Sequence, residues 1–293
     1  MITTTPIKHW QNINLEFKKN KYPVPIDHDA PRMYYVGLFV GSRGSGKSYM
    51  MCKLLKQYET YGIYDTETKH KVDQRIILFS PTADANPVFT SLKYLSHDDI
   101  IHNYSDSKLL NAVEDVKREK EETIEYQRKL KLYKKFLKMK RLEELSAEEL
   151  MHLELTNYEP PQQPKYPNGV VTFFILDDLV GSTAFKSVGK SALTNLVLKN
   201  RHLGINIMIA TQNLKAIPKS IRTNTSLFVI FKFASKKVIT EDLYEEVSNC
   251  LTLQKFEDLL DYATKDEHDC LVIDFTQPKE MRFKMNFNSI LNF

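Results

Sequence analysis

A chain of 293 residues with 42% hydrophobic and 27% charged residues has enough apolar material for a sizeable core, as one large domain or a domain with an appended piece. Its formal net charge of +4 permits a polyanionic partner without demanding one, and no apolar run approaches the length of a membrane span. Cys52, Cys250 and Cys270 are scattered and odd in number, which argues against a disulfide frame or a zinc site and for a reducing compartment.

The N-terminal stretch "MITTTPIKHWQNINLEFKK" lacks the apolar centre of a signal peptide and is read as part of an arm spanning residues 1–30. Residues 31–293 read as one domain. Its first strong signal is "VGLFVGSRGSGKSYMM", Val36 to Met51, which concentrates four of the nine glycines in one place. Val36 to Val40 is a short apolar run expected to be a buried strand. Tyr49 to Tyr58 reads as a helix with Met50, Leu54 and Leu55 on its apolar side. Between them, Gly41, Ser42, Arg43, Gly44, Ser45, Gly46, Lys47 and Ser48 fit the pattern G-x-x-x-x-G-K-[ST]. Strand, glycine loop and helix start form the context that this pattern needs to cradle phosphates. Loop N–H groups and the helix N-terminus, as far as Tyr49, would hold a nucleotide. Lys47 would reach the β/γ-phosphates and Ser48 would ligate Mg2+.

Further apolar runs follow at Arg75–Ser80, Val170–Leu176, Ile205–Ala210, Ser226–Phe233 and Cys270–Phe275, with helical segments between most of them. Near-continuous apolar strands are covered on both faces, which predicts an α/β fold with a mainly parallel central sheet. "MRFKMNF" (Met281 to Phe287) alternates apolar and polar residues after Thr276-Gln277-Pro278, so a C-terminal β-hairpin at a sheet edge is expected.

A charged α-helical insertion, at about residues 105–165, interrupts the pattern. From Ser107 to Asn157 it is dense in Lys, Glu, Leu and Tyr and free of Gly and Pro. Ser146 and Glu149 carry capping-box spacing, so a second helix is expected to begin there. The plain reading of its charge is a solvated surface. The sharper one is a partner- or DNA-facing arm with Lys131, Lys134, Lys135, Lys138 and Lys140 as its basic patch.

The strand "VVTFFIL" ends in Asp177 and Asp178. Beside a phosphate loop, the metal needs a carboxylate at the end of a neighbouring strand, and Asp177 is the choice for it. Asp178 is the candidate to polarise or deprotonate an attacking water. Thr211 and Gln212 fall just beyond Ile205–Ala210 on the same expected rim, where the Gln212 amide can bond a γ-phosphate or the lytic water. Arg201 precedes that strand, at the opposite rim, and is a candidate arginine finger acting on a neighbouring subunit's nucleotide. A surface salt bridge is the plainer reading, and Arg222 is the competing finger.

In order, "GLFVGSRGSGKS", "IILFSPTADANPVF", "FFILDDL" and "KNRHLGINIMIATQNLKAIPKSIRTNTSLFVIFK" resemble the DNA-packaging ATPases of large nucleocytoplasmic double-stranded DNA viruses, in the FtsK–HerA superfamily. The resemblance spans about Val36 to Lys232. It implies a RecA-like P-loop NTPase core using ATP and Mg2+, with Gly41–Ser48 as Walker A, Asp177 and Asp178 as Walker B, Gln212 as sensor and Arg201 as the trans-acting arginine. It also implies a ring-shaped homo-oligomer, pentamer or hexamer, that drives double-stranded DNA into a preformed capsid in concert with capsid or portal vertex proteins. The location implied is the host cytoplasm, in the viral factory, with the virion as a second place. Lys186, Lys190, Lys215 and Lys219 are candidate DNA contacts, each with a solvated lysine as the plainer reading. No nuclease motif cluster is recognisable downstream, so a motor without a cutter is expected. The rival readings are a P-loop small-molecule or nucleotide kinase, with the insertion as lid, and a slow nucleotide-gated scaffold.

Overall fold

A computed structural model describes residues 22–138, 145–179, 181–185, 191–233, 243–248 and 251–293. The strands are β1 (Val24–Pro25), β2 (Val36–Val40), β3 (Ile63–Tyr64), β4 (Lys71–Phe79), β5 (Leu95–Ile101), β6 (Val170–Leu176), β7 (Ile205–Thr211), β8 (Leu227–Phe231), β9 (Cys270–Asp274), β10 (Phe283–Met285) and β11 (Ser289–Ile290). Among the described residues they form one sheet in the order β1-β3-β4-β6-β7-β2-β8-β9-β10-β11, with β5 also paired to β4. From β5 through β4, β6, β7 and β2 to β8 all pairings are parallel, and β9, β10 and β11 add on antiparallel. The fold is therefore α/β with a mainly parallel central sheet, as expected, closed by a C-terminal hairpin.

Side chains alternate between the faces of a strand, and the central strands are apolar at both parities, so each face needs a cover. Leu38, Val40, Phe174 and Ile207 face a layer built from α2 (Asp106–Lys138), α4 (Ala192–Leu203) and α6 (Leu253–Ala263), the helices numbered in chain order with α3 (Ala147–Leu155) and α5 (Lys219–Arg222). Phe39, Phe173, Ile175 and Met208 face α1 (Lys47–Tyr61) and the segment Ala30–Tyr35. Two buried amides fix the approach to β2: Asn206 accepts from the Tyr34 and Tyr35 N–H groups at 2.8 and 3.2 Å, and Asn200 donates to the Tyr34 carbonyl at 2.9 Å. Of the residues expected in the N-terminal arm, Val24–Pro25 pair with Ile63–Tyr64 at the sheet edge.

Two features were not foreseen. β5, "LSHDDII", is too polar to read as a core strand, yet Asp99 is buried in it. Arg75 of β4 compensates that charge with a forked pair of hydrogen bonds to Asp99, 2.6 and 3.3 Å, and a third to Glu119 of α2 at 2.8 Å. The segment expected as an insertion also divides. Leu109, Ala112, Val113 and Val116 pack into the main core, so the start of α2 is the crossover helix between β5 and β6. Further along, α2 leaves the core, with Ile124 60% and Leu137 62% exposed. α3 begins with the expected capping box, Ser146 Oγ accepting from the Glu149 N–H and Glu149 Oε2 from the Ser146 N–H. Lys135 grips both Glu149 oxygens at 2.7 and 2.8 Å, which takes it out of the proposed basic patch. Lys131, Lys134 and Lys138 are exposed, and Lys140 lies outside the described residues.

Candidate active site

Because β2, β7 and β6 are parallel neighbours, their carboxyl ends emerge along one edge, with β7 between the other two. Val40 pairs with Thr211, and the Gly41 N–H donates to the Thr211 carbonyl at 3.2 Å, so the phosphate loop starts against the end of β7. Gly44 and Gly46 take φ of +77° and +97°, the left-handed region that costs most residues energy, and Gly46 is the N-cap of α1. α1 starts at Lys47, two residues earlier than the apolar pattern indicates, because the loop itself forms the helix N-terminus. Ser42, Ser45 and Ser48 are half-buried, whereas Arg43 and Tyr49 are exposed.

Lys47 Nζ donates to the Gly41 and Ser42 carbonyls at 3.0 and 2.8 Å, which holds the ammonium over the loop. Ser48 Oγ donates to Asp177 Oδ2 at 2.8 Å, joining residues 129 apart in sequence. Asp177 is buried, and its own N–H is held by the Phe79 carbonyl at 3.0 Å. Burial pushes the Asp177 carboxyl above its ordinary range, against the Ser48 hydrogen bond and with the help of Asp178. Burial likewise lowers Lys47, against the pull of Asp177 and Asp178. Both carboxylates therefore act on this ammonium. Asp178 is exposed and turns the chain at φ +54°, so the two adjacent carboxylates sit in different surroundings.

Gln212 stands exposed on the same edge, one residue past β7. The Thr211 hydroxyl fixes the turn that presents it, donating to the Asn213 carbonyl at 2.9 Å and accepting the Asn213 N–H at 3.1 Å. Arg201 is exposed in the last turn of α4, near the amino end of β7 and thus across the sheet from this edge. Arg222, the competing finger, is only 13% exposed and lies 3.5 Å from Glu246, so it is engaged within its own chain. Lys219 pairs with Glu245 at 3.0 Å, Lys215 is exposed, and Lys186 and Lys190 lie outside the described residues.

Two neighbours of the loop were not anticipated. Phe231, the last residue of β8, and His268, in the turn before β9, stand on the side of the loop away from Asp177. A Cβ on Gly46 would lie 3.6 Å from each. Nothing local marks either one, since their place depends on how β8 and β9 pair. Among the described residues no helix is long and apolar enough to cross a membrane, and no cluster of three or more His, Cys, Asp or Glu side chains is disposed to hold a metal. A cation here would need Ser48 and Asp177 together with oxygens from its ligand.

No protein-family model matches the sequence, and no curated protein is significantly similar to it. Solved structures similar to it include the genome packaging NTPase B204 of Sulfolobus turreted icosahedral virus 2 in complex with ATPγS, 14% identical, covering 88% of this chain and 98% of that one at a TM-score of 0.45. The DNA-packaging ATPase B204 of Sulfolobus turreted icosahedral virus is 14% identical over 86% and 97% of the two chains, at 0.48. The N-terminal domain of zonular occludens toxin from Neisseria meningitidis is 16% identical over 70% and 79%, at 0.32. At those values the likeness carries no assignment of activity or partner to this chain.

Proposed function

We propose that this protein is an ATPase motor that hydrolyses ATP to move double-stranded DNA into a preformed viral capsid, acting as a ring of identical subunits. The observation that carries the reading is the junction of Ser48 Oγ with the buried Asp177 carboxylate at 2.8 Å beside the Lys47 ammonium and its glycine loop. DNA packaging as the purpose rests on the ordered motifs from Val36 to Lys232.

The residues fit a magnesium ion: Ser48 Oγ and Asp177 offer hard oxygen donors, and a carboxylate buried at this cost gains from a cation. Mg2+, when bound, supplies charge neutralisation on the β- and γ-phosphate oxygens. The chain's own groups do the rest. Backbone N–H groups of the loop and Lys47 hold the phosphates and oppose the charge that grows on them during attack by water. Asp178, the more exposed carboxylate, orients and deprotonates that water, and Gln212 senses the γ-phosphate. Arg201, exposed near the amino end of β7 and so across the sheet from its own loop, suits a finger reaching a neighbour's nucleotide, and the Arg222–Glu246 pairing favours it over Arg222.

The test is phosphate release with and without duplex DNA over a range of salt. Stimulation by duplex that fades with salt, and loss of turnover with retained fold in Lys47→Ala and Asp178→Asn, are expected. An assembled oligomer that binds ATP but ignores duplex DNA at every salt concentration would refute the motor reading.

A further inference from the structure

Asp177 and Gln212, read above as facing the triphosphate, follow the carboxyl ends of β6 and β7, and Ser48 is bonded to Asp177 on that side of the phosphate loop. Its opposite side abuts β8, where a Cβ on Gly41 would come 2.8 Å from Phe231 Cβ. A row of phosphates anchored at Ser48 and laid along the loop therefore leads toward β8. Beyond Phe231 lies a hollow of about 350 Å³ between the end of β8 and the end of α6, walled by Phe231, Phe233, Leu260, Asp261, Thr264 and Lys265. It is of a size for a base and sugar.

Its chemistry is uneven. Phe231, Phe233 and Leu260 give an apolar wall. Thr264 is the one buried polar side chain among its described lining residues, and its hydroxyl proton is already spent on the Leu260 carbonyl at 2.7 Å. Asp261 and Lys265 are exposed, and the Lys232 ammonium is drawn to the Lys265 carbonyl at 3.3 Å. Sites that reject a wrong base strongly do so with buried polar groups that it would leave unpaired. Aromatic and aliphatic walls accept any base, because every base has a π-face.

We propose that the nucleoside half of the substrate occupies this hollow and that the enzyme separates purine bases only weakly, so GTP serves nearly as well as ATP. The proposal rests on the phosphate-loop reading above. Binding of the non-hydrolysable analogues AMPPNP and GMPPNP and of inorganic tripolyphosphate, each with Mg2+, is measured by calorimetry. The proteins compared are the wild type, Asp261→Trp, which fills the hollow from an exposed helical position, and Phe233→Ala, which removes part of its wall. Dissociation constants for the two analogues within about tenfold of each other are expected. Both variants should weaken both analogues about tenfold or more while tripolyphosphate binding holds within about twofold. Should Asp261→Trp also lose tripolyphosphate, its fold is damaged and Phe233→Ala decides. A preference above about 100-fold for one base, or variants that bind both analogues as the wild type does, overturns the proposal. Wild-type protein that binds neither analogues nor tripolyphosphate overturns the phosphate-loop reading itself, and this proposal with it.

Discussion

Gly41→Ala tests the phosphate loop most directly. The added Cβ would stand 2.4 Å from Ser45 Oγ and 2.8 Å from Phe231 Cβ, against an ordinary contact of about 3.5–4.0 Å. Ser45 can turn its hydroxyl away. The Cβ of Phe231 cannot retreat, because it moves only with its backbone, which is held in β8 between β2 and β9. The loop must therefore move by about 1 Å, against the Gly41 N–H bond to Thr211, and it takes the carbonyls that hold Lys47 with it. Overpacking of this kind costs about 1–3 kcal/mol, a loss of several degrees in Tm. A displacement of about 1 Å near the reacting phosphate lowers turnover about 10²-fold. Gly44→Ala is the control: a Cβ there meets nothing within 4 Å, so only the φ of +77° is penalised, by about 1–2 kcal/mol. Steady-state phosphate release and thermal melts of both variants form the assay. Wild-type turnover in Gly41→Ala would refute the claim that Phe231 and the loop are in rigid contact.

Burial holds the Asp177 carboxyl above its ordinary range, so the folded chain binds that proton more tightly than the unfolded one. This carboxyl's contribution to stability should therefore fall as pH rises from its unfolded value through its raised folded value. Asp177→Asn should remove that slope in pH-dependent urea melts and lower hydrolysis about 10²-fold or more; an unchanged slope would show that the carboxyl is not desolvated. Arg75→Met strands the Asp99 and Glu119 carboxylates against the core, and urea denaturation should show a loss of about 3–5 kcal/mol. A loss below about 1 kcal/mol would mean that water reaches the pair freely. Mixing Arg201→Ala with Lys47→Ala subunits should recover part of the ATPase rate that neither has alone, since one supplies the loop and the other the finger. No recovery at any ratio would remove Arg201 from the neighbour's site.

Much of this molecule is local in origin. Val36–Val40, Gly41–Gly46 and the helix after them are set by neighbours in sequence: β-branched and aromatic residues for the strand, backbone without a Cβ for the turn, and an apolar stripe for α1. The same holds for Val170–Leu176, whose apolar run matches its strand end to end, and for Ser146 and Glu149, whose capping bonds span three residues. Such elements are legible because the interactions that stabilise them fall within one turn or one strand.

The rest depended on long-range pairing. β5 looks like a polar loop until Arg75, 24 residues away from Asp99, supplies the charge that lets it enter the sheet. The resemblance favours Arg201 over Arg222 as the finger, but the approach of Glu246 to Arg222, which binds that rival within its own chain, is visible only in the tertiary structure. The start of α2 reads like the rest of that charged helix, but the packing of Leu109 and Val113 against the sheet makes it core. The residue types at Ser48 and Asp177 announced a nucleotide, yet their meeting at 2.8 Å follows from the strand order that sets β7 between β2 and β6. Burial of two apolar faces at once selects that order, and it depends on the whole sheet rather than on any segment of it.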